Sequence, residues 1–150
     1  MRAHVLSLVL LIDVATCFGG KPPGNAGGSI EKAIPLKHRT AEAAVDEEMT
    51  WMRKLYHYTP LEATRDAFAE AVRQLKVEKK KEASAPTPWG HASRDYNGRL
   101  ISCWWLRTPH GRKEIYFDTG VPINTPGEVA RRESACARYM AERMKSLKIQ

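Results

Sequence analysis

A tight turn between two arms of β-forming residues constrains this chain more than any other feature. The arms are Arg99-Leu-Ile-Ser-Cys-Trp-Trp-Leu-Arg107 and Arg112-Lys-Glu-Ile-Tyr-Phe-Asp118, with Thr108-Pro-His-Gly111 between them. β-Branched and aromatic side chains suit a pleated, half-buried surface. Pro109 presets the turn dihedral, and Gly111 takes the position where a side chain would strain the backbone. Residues 99–118 are therefore expected to form a β-hairpin. Counting out from a four-residue turn sets Arg107 opposite Arg112. One face then carries Leu100, Trp104, Leu106, Ile115 and Phe117. The other carries Arg99, Cys103, Trp105, Arg107, Arg112 and Tyr116, with Glu114 among them. The first is a core face and the second a basic, aromatic one. A turn longer or shorter by one residue would reverse which face of one arm is buried.

Helix starts are marked on both sides of the hairpin. Thr59-Pro-Leu-Glu62 and Thr125-Pro-Gly-Glu128 share one pattern: Thr as N-cap, Pro at the first helical position, and Glu placed to reach back. Thr40 is a third cap, for a helix to about Tyr56 with Val45, Met49, Met52 and Tyr56 on its apolar face and Asp46, Glu47 and Glu48 on the others. The helix from Thr59 carries Leu61, Phe68, Val72 and Leu75 on one stripe and is expected to end near Lys81. A tight Tyr58-Thr59 connection would make these two an αα-hairpin over residues 40–82. The helix over 125–147 offers Val129, Cys136, Met140, Met144 and Leu147 to the core face of the β-hairpin, with Arg131, Arg138 and Lys145 on its other side.

Elsewhere the chain reads as breakers and extensions. Residues 1–20 begin with Arg2, pass through an apolar run interrupted by Asp13, and end in small residues, the form of a secretory-type signal, with organelle (mitochondrial) targeting as the next reading. The run is too short to span a bilayer. Residues 21–39 open on Pro and Gly and read as a linker. Residues 83–98 form a second linker in which Asn97-Gly98 is a good tight turn, so 89–95 are available as a third strand beside Arg99–Leu106. Residues 99–150 then form a basic ββα unit, and the expected class is α+β.

Net charge is +7, and residues 99–150 supply +5 of it, with ten Lys/Arg against five acids. A basic unit of this kind favours polyanions through counterion release: nucleic acid first, an anionic membrane surface second. No sequence motif dictates a reaction. Histidines 4, 38, 57, 91 and 110 bring no two onto one helical face, and Cys17, Cys103 and Cys136 contain no Cys-x-x-Cys pair, so neither a structural zinc site nor any other cofactor is expected. There is no phosphate-binding glycine loop and no Gly-x-Ser-x-Gly elbow. A Cys/His pair drawn from Cys136 or Cys103 with His91 or His110 is weaker than the reading of both cysteines as small buried apolar residues. Cleavage after Cys17 would leave Cys103 and Cys136 as a candidate disulfide, which the placement of Cys103 on the face away from the helix opposes.

Paired strands, a glycine-containing turn, a short polar loop and an Ala-rich helix resemble the last part of AP2-like DNA-binding domains and the arm-binding domains of tyrosine integrases. The resemblance covers about a third of the chain. It implies a three-stranded sheet in the major groove, read by Arg99, Trp105, Arg107 and Arg112. It also implies Phe117 on the packed face, with Ala130, Ala137 and Ala141 on the helix behind. The expectation is a non-enzymatic nucleic-acid-binding module, for DNA or RNA, or a basic subunit of a ribonucleoprotein, using Arg99, Trp105, Arg107, Arg112 and Tyr116. Arginine forks reach guanine edges or phosphates, and Trp and Tyr stack on unpaired bases. The competing expectation is a secreted or organellar protein-interaction subunit without a nucleic-acid role.

Overall fold

The Thr108–Gly111 turn sets the frame of the molecule. In the computed structural model, which describes residues 25–77 and 87–146 with residues 75–77 as backbone alone, Thr108 pairs with Gly111 and Arg107 with Arg112. The expected register is therefore the observed one. The elements in order are a 3-10 turn Ile30–Lys32, β1 (Ile34–Pro35), α1 (Ala41–Tyr56), α2 (Pro60–Val77), β2 (Trp89–Tyr96), β3 (Arg99–Thr108), β4 (Gly111–Pro122) and α3 (Glu128–Ser146). The fold is α+β, with a mixed sheet of order β1-β4-β3-β2.

Residues 89–96 do form the third strand, antiparallel to β3. Asn97 and Gly98 both sit at positive φ, +53° and +75°, as a two-residue hairpin turn matching strand twist requires. The sheet has a fourth strand that was not expected. β1 lies within the stretch read as a linker and pairs parallel to β4, Ile34 with Phe117 and Pro35 with Asp118. Ile34 and Leu36 are buried in the core. The Gly27 carbonyl accepts from the Tyr116 N–H, and the Tyr56 hydroxyl donates to the Glu114 carbonyl, so chain covers the β4 edge beyond β1 as well.

The expected αα-hairpin is absent: α1 packs chiefly on α3, while α2 lies against β2, β3 and α3. His57 ends α1 in the left-handed region, at φ +53°, and turns the chain away from an antiparallel return. Thr59 and Glu62 form the expected capping box. The Thr59 N–H and hydroxyl both donate to Glu62 Oε2, at 2.7 and 2.8 Å. The matching pattern at Thr125 does not. Gly127 adopts φ +71°, α3 starts only at Glu128, and the Glu128 carboxylate binds Arg131 and Arg132 instead. Thr40 stands at the N-cap of α1 without a side-chain bond.

Three helix faces also differ from expectation. Phe68 is exposed, and Pro60 and Ala63 are the buried residues among the described side chains of α2. In α3 the buried set is Glu128, Arg132, Ala135, Cys136 and Met140, whereas Met144, Ala130, Ala137 and Ala141 are exposed. In α1, Glu48 lies at the core beside Met49 and Met52. No helix among the described residues is long and apolar enough to cross a membrane. The signal-like segment, the expected helix end near Lys81, residues 83–86 and Leu147 lie outside the described residues.

Candidate functional site

Strand parity gives the sheet two chemically distinct faces. Leu100, Trp104, Leu106, Ile115 and Phe117 all point to the covered face and are fully buried. Among the described residues all three helices lie on that side. α1 reaches it through Glu48, which accepts from the Trp104 indole. α2 reaches it through the Thr64 hydroxyl, which accepts from the Trp89 indole. α3 reaches it through Cys136, part of the same buried core.

The open face alternates with it. Pairing places Gly90 beside Trp105, Ala92 beside Cys103 and Arg94 beside Ile101. It places Cys103 beside Tyr116, Trp105 beside Glu114 and Arg107 beside Arg112. Trp105 lies flat across β2. A Cβ on Gly90 would fall on its indole ring, so only glycine leaves room for this orientation. The Arg112 guanidinium covers the ring from the other strand, 4.7 Å from its centroid. Arg112 also bonds Glu114 at 2.8 Å, and Arg99 forms an ion pair with Asp118. The Tyr116 hydroxyl donates to Glu114 at 3.0 Å; that bond, with burial behind it, raises the phenol to about 12. Arg94 and Arg107 have no carboxylate partner among the described residues. Arg107 also borders a groove of about 360 Å³ with Ala63, Ala67 and Ala71 of α2 and Pro109 of the turn.

All five residues expected at the binding surface thus share this face, and Arg94, outside the expected set, joins them. The pairing of Arg94 with Ile101 follows from the Asn97-Gly98 turn by counting, so a hairpin register would have revealed it. Asp118 and Glu114 reduce the net positive charge of the surface.

The candidate disulfide is not formed. Cys103 and Cys136 are both free thiols. They lie on opposite sides of the sheet, Cys103 beside Tyr116 on the open face and Cys136 in the core under α3. Burial raises the Cys103 thiol, aided by Glu114, although Arg94 pulls it back.

A second constellation sits behind the sheet. Glu48 of α1, His91 of β2 and Cys136 of α3 bring one ligand atom each to within 4.8 Å of one another. Of the Cys/His pairs open to the sequence, this joins Cys136 with His91. Trp104 Nε1 donates to Glu48 Oε2 at 2.8 Å, and His91 Nε2 lies 2.9 Å from the Ser102 hydroxyl. The His91 ring packs on Trp104 with centroids 4.6 Å apart. Burial raises the Glu48 carboxyl to about 7, against the pull of Trp104 and Ser102, and lowers His91 to about 4, with Arg132 assisting. Burial also pushes the Cys136 thiol strongly upward. Burial thus works against charge on all three groups of the cluster, and their ligand atoms are of the kinds that bind a divalent metal. Sequence spacing could not reveal it, because the three residues come from three elements. The only local signal was Glu48 itself, a charged residue three positions after Val45 on an apolar stripe.

The architecture is thus a mixed four-stranded sheet with helices on one side and a basic, aromatic face on the other. No protein-family model, curated protein or solved structure matches the chain.

Proposed function

We propose that this chain is a non-enzymatic nucleic-acid-binding module that contacts its ligand through the open face of the sheet. The observation that carries the reading is the stacked arrangement of Gly90, Trp105 and Arg112, flanked by Arg94, Arg99, Arg107 and Tyr116. The flat indole, with Gly90 beneath it, backs the Arg112 guanidinium on its other side, and that guanidinium plane can stack on a base or fork onto a phosphate. The face is broad and free of helices among the described residues, which also suits docking in a major groove as in the AP2-like resemblance. A contribution to a ribonucleoprotein is compatible with the same surface.

One observation favours a second reading, in which the face meets another protein. Arg99 and Arg112 are already bonded to Asp118 and Glu114, so part of the charge that a polyanion would use is internally balanced. Fluorescence anisotropy with labelled single-stranded RNA, single-stranded DNA and duplex DNA, run from about 50 to 200 mM salt, separates the two. Binding that weakens with salt and is lost in Arg107→Ala/Arg112→Ala, with the far-UV spectrum unchanged, supports the nucleic-acid reading. Binding unaffected by that double substitution removes it.

A further inference from the structure

Behind the sheet, on the side the proposed nucleic-acid contact does not use, lies a donor set that no element could supply alone. We propose that Glu48, His91 and Cys136 are the three protein ligands of one thiophilic divalent cation, zinc foremost, with a water completing the tetrahedron.

The donors are one carboxylate oxygen, one imidazole nitrogen and one sulfur, mutually within 4.8 Å. Zinc bonds of about 2.0–2.3 Å place tetrahedral ligand atoms roughly 3.3–3.8 Å apart, so separations of up to 4.8 Å need to shrink by no more than about 1.5 Å to close the site. The sulfur selects zinc over magnesium or calcium, which prefer all-oxygen sites.

Charge balance points the same way. Glu48 is wholly buried; the groups hydrogen-bonded to its carboxyl, Trp104 and Ser102, are neutral, and Arg132 acts on it only through its charge. Arg132, the buried cation beside the cluster, is committed to Glu128 through a 2.8 Å bond. Closing the site around an ion creates a carboxylate and a thiolate together, and a dication supplies two charges at once to balance them. Binding would release the carboxyl and thiol protons to solvent and leave the centre without net charge.

The surroundings already hold the ligands. The Trp104 indole orients Glu48, and the Ser102 hydroxyl engages one nitrogen of His91, the kind of outer contact that fixes metal-binding side chains. His91 belongs to β2, the edge strand of the sheet, and is only partly buried, so an ion has an approach from that side.

The test uses the full chain freed of metal, titrated with cobalt chloride and then with zinc chloride. The expected result is one equivalent of cobalt, a thiolate-to-cobalt charge-transfer band in the near ultraviolet, and its loss when zinc displaces cobalt. Cys136→Ser should abolish the band while far-UV dichroism stays unchanged. Glu48→Gln and His91→Ala should each weaken zinc at least tenfold. Cys103→Ser and Cys17→Ser should keep the band. No saturable cobalt binding in the folded wild-type chain overturns the proposal, and so does a band that survives Cys136→Ser or disappears with Cys103→Ser or Cys17→Ser.

Discussion

Glu114→Gln is the substitution that reads the open face most directly, because it should improve binding rather than abolish it. Glu114 occupies the centre of the face and accepts from Arg112 at 2.8 Å and from Tyr116 at 3.0 Å. Side-chain exposures of 61% and 42% make the Arg112–Glu114 pair a surface ion pair, so its loss costs at most about 1 kcal/mol. The bond from Tyr56 goes to the Glu114 backbone carbonyl and survives the change. The fold should therefore persist, with a melting temperature lower by no more than about 3–5 °C. Binding moves the other way. In the wild type Arg94 and Arg107 are the two open-face arginines not tied to a carboxylate among the described residues, and two phosphate contacts to a single strand give a log–log salt slope of about −1.4. Freeing Arg112 adds a third contact and steepens the slope to about −2.1. One further charge-assisted bond at an exposed site should tighten binding by roughly two- to tenfold. The assay is anisotropy with a labelled single-stranded oligonucleotide at several salt concentrations. Arg112→Ala introduced into the Glu114→Gln background should cancel the gain, which makes the pair a double-mutant cycle. A folded Glu114→Gln protein whose affinity and salt slope match the wild type would refute the reasoning.

Four further outcomes follow from the packing and its ion pairs. Gly90→Ala should push the Trp105 indole off the sheet and out from under Arg112, with oligonucleotide affinity falling roughly fivefold or more as the stacking surface moves; unchanged binding by anisotropy would mean Trp105 is not a platform. Trp104→Phe removes the donor to Glu48 and leaves space in the core, so urea unfolding should show a loss of about 2–4 kcal/mol, and a loss under 0.5 kcal/mol would contradict the role given to that bond. Thr59→Ala should cost about 1 kcal/mol through loss of the cap, read as a lower melting temperature. Burial works to raise the Glu62 carboxyl, but its bonds to Arg53 and Thr59 outweigh that and hold it below the usual range. Its stabilisation is accordingly present above the ordinary carboxylate value and lost as pH falls through the lowered one. Glu62→Gln should therefore flatten part of the acid limb of the thermal-stability profile, and an acid limb of unaltered steepness would count against it.

What could be read from the amino acids was what a short stretch of chain decides by itself. Pro109 with Gly111, and Asn97 with Gly98, determine two turns. Each turn determines a register, and the register sorts Trp104 from Trp105 and Leu106 from Arg107 onto opposite faces. The Thr59–Glu62 capping box is equally local. Thr125–Glu128 shows where such a signal fails, because Gly127 in a left-handed conformation delays the helix and redirects the glutamate to two arginines. The apolar stripe of α1 pointed to Val45, Met49 and Met52, which are buried, but not to Glu48 beside them nor to the partner, which is α3 rather than α2. β1 has only two residues and so no period to detect.

The same parity links the two proposed sites. β3 sends Trp105 and Arg107 outward and Ser102 and Trp104 inward; β2 sends Gly90 outward and His91 inward. The residue under the Trp105 ring and the residue proposed to hold a metal are therefore adjacent in sequence and opposite in direction. A one-residue slip of β2 against β3 would put the His91 side chain where Gly90 now leaves room for the indole. It would also take the imidazole away from Glu48 and Cys136. Asn97-Gly98, whose paired left-handed conformations tolerate few other residues, is what prevents that slip. Both surfaces of the sheet depend on this one turn, although it touches neither of them.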